Sequence, residues 1–461
     1  MVTHTRFIPL IVASPLFLQN LDTSVMATAL PSIAQSLQVP PLHLNLAITS
    51  YLLSLAVFLP VSGWLSERLG AKRVFCLAIA FFSLGSALCG MANSLPMLVL
   101  FRVIQGLGGA MMVPVGRLIL LRSVHPSQMV SAMVWFTVPP VFGRMLGPLF
   151  GGAVVTFTSW RWIFFVNIPF GLFAIWLAAT FVEDMPGSPE PAPFDIKGFV
   201  MMSVALTALL IAFEIAGKAI APVWVSVLLA GAGALAFWLY LRHSRPLPNP
   251  IIDLSILKFQ TFRANVLGAM PLRIAIGASP FLLPQMLQLG FGLSPLDSGL
   301  LTVATPVGAL GTRIVLKRAI HALGFRRLLI VATIITSGFY MGYSAFNPST
   351  HHALIFGVLM VGGLFNSMCL VIMGTLGYSE IPKPQMSHAT TLSAMIQQLT
   401  VSFGVVLGAS LVTAVSWWHG GDGIRLQAQD FSPVFVVIGL LTLLSLVSFM
   451  KLHPDEGAQL R

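Results

Sequence analysis

The sequence predicts an all-helical integral membrane protein, and three observations carry that prediction. Of its 461 residues, 56% are hydrophobic and only 8% are charged, against roughly a quarter charged in soluble domains. Apolar runs of about 20 residues recur from end to end, each enough to cross a hydrocarbon core about 30 Å thick. Lys and Arg fall in short clusters between those runs, which is the pattern of cytoplasmic loops. The clustering also accounts for the net charge of +11 with a lipid bilayer as partner and without nucleic acid.

Taken in order, the apolar runs and the turns between them predict spans at 7–30, 46–66, 74–92, 96–122, 130–157 and 162–182. The first run is too long for a signal-peptide core and has no small-residue cleavage site after it, so it is expected to remain as a membrane helix. A Pro-rich, acidic linker, EDMPGSPEPAPFD, follows the sixth. Next come 196–216 and 222–241, then 263–288, 296–319, 327–346, 352–376, 390–417 and 431–451, for a total of fourteen. Residues 1–182 are expected to form one six-helix half and 246–461 the other. Residues 183–245 supply the cytoplasmic linker and an inserted helix pair.

With a cytoplasmic N-terminus, 19 of the 25 Lys and Arg fall in inner loops or at inner helix ends. Only Arg161, Lys218 and Arg425 fall outside, and Arg102, Arg144 and Arg273 lie within spans. The asymmetry places both termini in the cytoplasm. An internal echo accompanies it: SERLGAKRVF after the second span matches HALGFRRLL after the tenth, with Gly70 before Lys72 and Arg73 as Gly324 stands before Arg326 and Arg327. Two similar halves suit a transporter that rocks one half against the other around a central site.

The motifs carry a resemblance. GWLSERLGAKR, LFRVIQGLGGA and GRMLGPLFGG resemble the loop, fourth-helix and fifth-helix motifs of the major facilitator superfamily. LDTSVMATALP, WRWIFFVNIPFG and FDIKG are similar to the fourteen-helix drug:proton antiporter branch. Glu67 stands where that family usually has Asp, and Ser24 and Ala27 stand where Thr and Asn are common. The resemblance implies a conformational latch at Gly63, Glu67, Arg68, Gly70 and Arg73, although topogenic charge alone also explains the basic residues. It further implies an antiporter seam at Gly143, Gly147, Pro148, Gly151 and Gly152 that packs against the second half. It points to a monomer of the plasma membrane, the inner membrane of a bacterium, that exports small amphipathic molecules in exchange for protons.

The embedded charges sharpen that expectation. By residue counting, Asp22 and Arg102 lie at the same depth, about 9 Å from the outer surface. Burial opposes ionisation of a carboxylate while a neighbouring guanidinium favours it, so an opening cavity could switch such a group. Asp22 with Arg102 is therefore a candidate proton-coupling pair, or else a static ion pair joining two helices. Arg144 falls about 100° around its helix from the glycine seam. It is expected to line the cavity, to pair with Glu214, or to snorkel outward. Gln19, Gln105, Glu214, Arg273, Asn366 and Gln397 are further cavity candidates, although interhelical hydrogen bonds explain isolated amides equally well.

Cys76, Cys89 and Cys369 have no metal-ligand spacing, so no metal site is expected. The sequence contains no GxxxxGK[ST], nucleophile elbow or paired catalytic carboxylates, so neither a cofactor nor enzymatic chemistry is expected. Two other functions fit the same residues. One is a narrow-range exporter of a metabolite or organic anion, favoured by the embedded arginines. The other is a non-transporting membrane sensor or scaffold.

Overall fold

The computed structural model describes residues 7–39, 44–187, 193–218, 222–421, 426–454 and 456–457. Arg425 and the side chains of Pro148, Glu214 and Lys218 lie outside the described residues. The chain is 84% helical with no strand among the described residues. Its N-terminal helices are α1 (Ile8–Leu37), α2 (Asn45–Phe58), α3 (Val61–Leu69), α4 (Ala71–Met91), α5 (Leu95–Ser123), α6 (Met129–Phe157), α7 (Trp162–Phe165) and α8 (Asn167–Phe181). Then follow α9 (Ile196–Lys218) and α10 (Val223–Ser244). The C-terminal helices are α11 (Gln260–Arg263), α12 (Met270–Gln285), α13 (Pro295–Thr302), α14 (Ala304–Gly342), α15 (His352–Leu376), α16 (Met386–Trp418), α17 (Ala428–Leu443) and α18 (Ser445–Phe449).

Local chemistry explains where helices break. Pro60 cannot donate a backbone hydrogen bond and its ring crowds the preceding turn, and α2 and α3 meet there at 57°. Gly70 (φ 87°, ψ 143°) and Gly324 (φ 74°, ψ 167°) interrupt the chain at the two echoed loops with nearly the same backbone conformation. Positive φ is open to glycine at little cost, so the repeat in sequence is also a repeat in conformation.

Among the described residues, eleven helices are long and apolar enough to cross a membrane, or twelve with the bent α2–α3 pair as one span. The expected fourteen differs from this count in two places. The amides and acid at Gln19, Asn20 and Asp22 lower the apolarity of α1. Residues 296–319 and 327–346 run together in the 49-residue stretch Asp297–Ala345, within which Gly324 is non-helical. The outer faces suit lipid: Phe157, Val223, Val227, Leu228 and Ile314 are exposed, an arrangement that water would oppose.

The packing is continuous at one end of the bundle and divided at the other. A single apolar core joins N-terminal residues such as Ile8, Phe75, Leu120 and Met129 to C-terminal residues such as Phe262, Phe325, Leu376 and Phe449. Toward the opposite end there are two cores. One holds Leu21, Cys89, Leu98 and Trp160, and the other holds Leu282, Tyr340, Phe346 and Phe435. The N- and C-terminal helices thus share an apolar core at one end only and are packed separately at the other, which leaves room for a cleft between them. Helix α9 touches both sets, through Ser203 Oγ donating to the Val57 carbonyl (2.9 Å) and Phe213 against Phe403 (5.2 Å between rings). Helix α10 packs on α9 and is mostly exposed.

Candidate functional site

Two polar sites and one seam are built on this frame. The first site lies inside the N-terminal helices. Close approach of α4 and α5 makes it possible, because a Cβ on Gly85 would lie 2.5 Å from the Gln105 backbone. Arg102 Nη1 donates to Asp22 Oδ2 (2.6 Å) and to Gln105 Oε1 (2.7 Å). Gln105 Nε2 (3.1 Å) and Asn167 Nδ2 (3.0 Å) both donate to Asp22 Oδ1. Asn167 Nδ2 also donates to Ser86 Oγ, which in turn donates to the Phe164 carbonyl. The guanidinium lies over the rings of Phe164 (4.9 Å) and Tyr51 (5.4 Å). Asp22 is 3% exposed and Arg102 1%.

Asp22 is thus a carboxylate with three donors and one counter-charge, held by α1, α5 and α8. The residue faces α5 and α8 within the N-terminal set and is closed to solvent in this conformation, so among the described residues no cavity reaches the candidate proton-coupling pair here. The α1 face bearing Asp22 turns toward Arg102, since a buried carboxylate is far more stable beside a guanidinium than beside lipid. Gln19 also points inward, with Nε2 donating to the Gly109 carbonyl (3.3 Å).

Arg144 lies on the face of α6 that leads to the C-terminal helices. It is exposed at the middle of α6, and its Nη2 donates to Asn20 Oδ1 (3.0 Å). Met133 lies eleven residues earlier, three turns, and therefore within about 20° of the same face and about 16 Å along the axis. Met133 Sδ faces Gly374 of α15. The face that touches the C-terminal helices at the joined end therefore carries Arg144 above them in the cleft.

The glycine seam has a different partner from the one expected. A Cβ on Gly143 would lie 2.3 Å from the Phe17 carbonyl, and one on Gly147 would lie 2.3 Å from Ser24 Cβ. Ser24 Oγ also donates to the Arg144 carbonyl (2.6 Å). The seam therefore packs on α1 of the same set and not on the second half; small residues let these two backbones approach. Gly151 is buried, and a Cβ on Gly152 would meet nothing within 4 Å.

The second site closes the joined end. Gly63 brings α3 against α16, where a Cβ would lie 3.0 Å from Thr391 Oγ1. Ser62 Oγ bonds Thr391 Oγ1 (3.0 Å), Ser387 Oγ donates to Glu67 Oε1, and His388 Nε2 lies 3.5 Å from the same carboxylate. Arg68 and Arg73 do not join Glu67. Both are exposed, and Arg68 stacks on Trp64 (5.1 Å). Lys72 pairs with Asp184 (3.3 Å) in the linker. Gly70 approaches that linker closely, since a Cβ there would lie 2.3 Å from the Met185 carbonyl. Arg117 Nη1 donates to Tyr378 Oη (3.2 Å) and Ser393 Oγ (3.3 Å), and its Nη2 donates to Gln397 Oε1 (3.3 Å).

The remaining candidates are dispersed. Arg273 is buried beside Asn265, its Nη2 donating to Asn265 Oδ1 (2.7 Å). Asn366 lines a cavity of about 10 Å³ with Ser279, Thr336 and Tyr340, room for about one water. Sequence reasoning missed Asn167, His388 and the bridging role of Arg117. Asn167 could have been noticed as the lone amide of an otherwise apolar run. Arg117 was counted with the loop charges because it stands near a helix end.

The comparisons agree with this architecture. The sequence model of the Major Facilitator Superfamily matches residues 15–399 and 266–461. The chain is 34% identical over 455 residues to the "Putative multidrug resistance protein MdtD" of Salmonella heidelberg (strain SL476), covering 98% of this chain and 96% of the relative. The protein of the same name from Salmonella typhimurium is equally similar, at 34% over the same coverage. Among solved structures, the human organic anion transporter MFSD10 (TETRAN) superposes with a TM-score of 0.65 at 14% identity, over 95% of this chain and 99% of that one. The proton:xylose symporter XylE superposes with a TM-score of 0.60 at 14% identity, over 95% of each chain. At such identities the two structures speak for the fold alone.

Proposed function

The chain belongs to the major facilitator superfamily as a multi-pass membrane transporter, and on that premise we propose that it is a proton-coupled exporter of small amphipathic compounds. The observation that carries the reading is Asp22. It is a carboxylate kept in the interior with one guanidinium and two amide donors, out of reach of water until the helices around it move. In a fold joined at one end and cleft at the other, movement of α1 against α5 and α8 would open Asp22 to protons. Such movement couples protonation to the side on which the cleft opens. The printed name of the Salmonella relatives supports drug-like cargo.

The fourteen-span architecture belongs to the same reading. Counting α1 and dividing Asp297–Ala345 at Gly324 brings the twelve to fourteen, with α9 and α10 inserted between two six-helix halves. In this reading both termini lie in the cytoplasm of a bacterial cell, with the joined end inward and the cleft outward, and the basic inner loops support it. The protein works as a monomer in this scheme, since one chain supplies both halves and the cleft.

The test is flux. Purified protein in proteoliposomes, with an imposed pH gradient and a panel of cationic, neutral and anionic compounds, is expected to move at least one of them, and Asp22→Asn is expected to lose gradient-driven movement while still inserting. Retained gradient-driven flux in that variant excludes Asp22 as the proton carrier. Ligand binding without flux for any compound would favour the sensor or scaffold.

A second reading, a narrow-range exporter of an organic anion, is favoured by one observation. Arg117, Arg144 and Arg273 hydrogen-bond only neutral partners among the described residues.

A further inference from the structure

We propose that Arg117 and Arg273, one from each set of helices, form a binding site for the anionic group of a transported compound, a carboxylate or phosphate, at the floor of the cleft. The inference deepens the exporter reading by naming a substrate class and rests on that reading for the idea that the ligand is cargo.

The starting point is a surplus of buried donors. Arg273 is 6% exposed and Asn265 is 1% exposed. Asn265 Oδ1 accepts from Arg273 Nη2 at 2.7 Å, which fixes the amide so that its Nδ2 points elsewhere. Arg273 Nη1 and Asn265 Nδ2 are both buried without an acceptor. A guanidinium stays charged at any physiological pH and has five donors and no acceptor. Buried charges are ordinarily paired, and leaving one unpaired is strongly destabilising.

The neighbours add positive charge. The charged group acting on Arg273 is Arg117, and Tyr378 is its other electrostatic neighbour. Arg117 Nη1 donates to Tyr378 Oη, and a Cβ on the adjoining Gly377 would collide with Asn265 at 2.2 Å. Arg117, Tyr378, Asn265 and Arg273 therefore form one contiguous cluster across the boundary between α5 and the C-terminal helices. The nearby acid Glu380 is engaged elsewhere, accepting from Thr261 N (3.0 Å) and Thr261 Oγ1 (2.7 Å). Two guanidiniums in one cluster, neither bonded to a carboxylate among the described residues and one of them with a buried Nη1 that has no acceptor, match the acceptor-only chemistry of an oxyanion. Arg144 stands higher in the cleft, about 12 Å along α6 from Phe136, the ring over which Arg117 lies at 5.4 Å. An anion entering or leaving the cleft would meet the two sites in succession.

The experiment uses the full chain purified in a neutral detergent, with thermal unfolding followed by tryptophan fluorescence. Sodium benzoate and inorganic phosphate are titrated separately, with sodium chloride holding ionic strength constant. Wild type is expected to show a saturable rise in Tm with at least one of the two. Arg273→Gln and Arg117→Gln should each raise the half-saturating concentration at least tenfold. No saturable rise in wild type, or an unchanged titration in Arg273→Gln, overturns the site. Asn265→Asp covers the case in which the arginine variants fold poorly. It supplies an internal acceptor of nearly the same size, so it should raise Tm without anion and abolish the anion response. A lower Tm with the response intact overturns the proposal. The binding assay needs no gradient, so its failure with flux retained removes this site alone. An anion response with no flux of any compound removes the exporter reading and leaves the site standing.

Discussion

At the scale of single residues, the Asp22–Arg102 pair decides between a proton carrier and a brace. Asn at position 22 keeps an oxygen for Gln105 or Asn167 but turns an N–H toward Arg102 Nη1, which now donates at 2.6 Å. Removing one partner of a buried ion pair costs about 3–5 kcal/mol, so Asp22→Asn alone should lower thermal stability markedly. Asp22→Asn with Arg102→Gln removes both charges and is expected to recover most of that loss, as measured by thermal unfolding. The double variant should still fail in pH-gradient-driven flux. Flux that returns with stability would show the pair to be a brace only. The two charges were legible in the sequence because ionic residues inside apolar runs are few and residue counting gives their depth. Their surroundings were not legible, because the rotation of α1 about its axis depends on tertiary packing. That rotation turns Asp22 toward Asn167 of α8 and away from the cleft.

Elements show which glycines matter and why. In α6, a Cβ at Gly143 or Gly147 would enter the backbone or side chain of α1 at 2.3 Å, whereas one at Gly231 of α10 meets nothing within 4 Å. Gly143→Ala and Gly147→Ala should therefore separate α1 from α6 and lower the yield of folded protein, at a cost of about 1–3 kcal/mol for forced overpacking. Gly231→Ala should be neutral or stabilising by up to about 1 kcal/mol, since alanine is the better helix former. Size-exclusion profiles and thermal unfolding of the three variants check the contrast. Equal tolerance at all three positions would mean that the seam is not a tight contact. The every-fourth-residue glycines announced a close helix contact, but spacing carries no information about which helix makes it. Span boundaries were more legible: Gly324 stood out as punctuation between two apolar runs, and the backbone is non-helical there.

For the whole molecule, the division of the interior into one shared core and two separate ones is the feature the sequence did not disclose. Apolar runs predict that helices will be buried or lipid-facing, but not how two sets lean on one another. The shared end is held by contacts between α3, α5 and α16, of which Ser62 Oγ to Thr391 Oγ1 at 3.0 Å is among the closest. If transport needs this end to open, a covalent tie there must stop it. Cysteines at Ser62 and Thr391 are suitably placed for such a tie, because a disulfide requires side chains that already meet. The native Cys89 and Cys369 are buried, and the half-buried Cys76 can be replaced by Ser to give a clean background. Oxidised Ser62→Cys/Thr391→Cys protein is expected to fold and to lose at least nine-tenths of its flux, with recovery on reduction. In the same oxidised protein, a cysteine replacing the cleft-facing Arg144 should still react with a membrane-impermeant thiol reagent, because the tie closes only the opposite end. Undiminished flux with the disulfide formed would mean that the shared core never separates, and alternating access through this cleft would have to be abandoned.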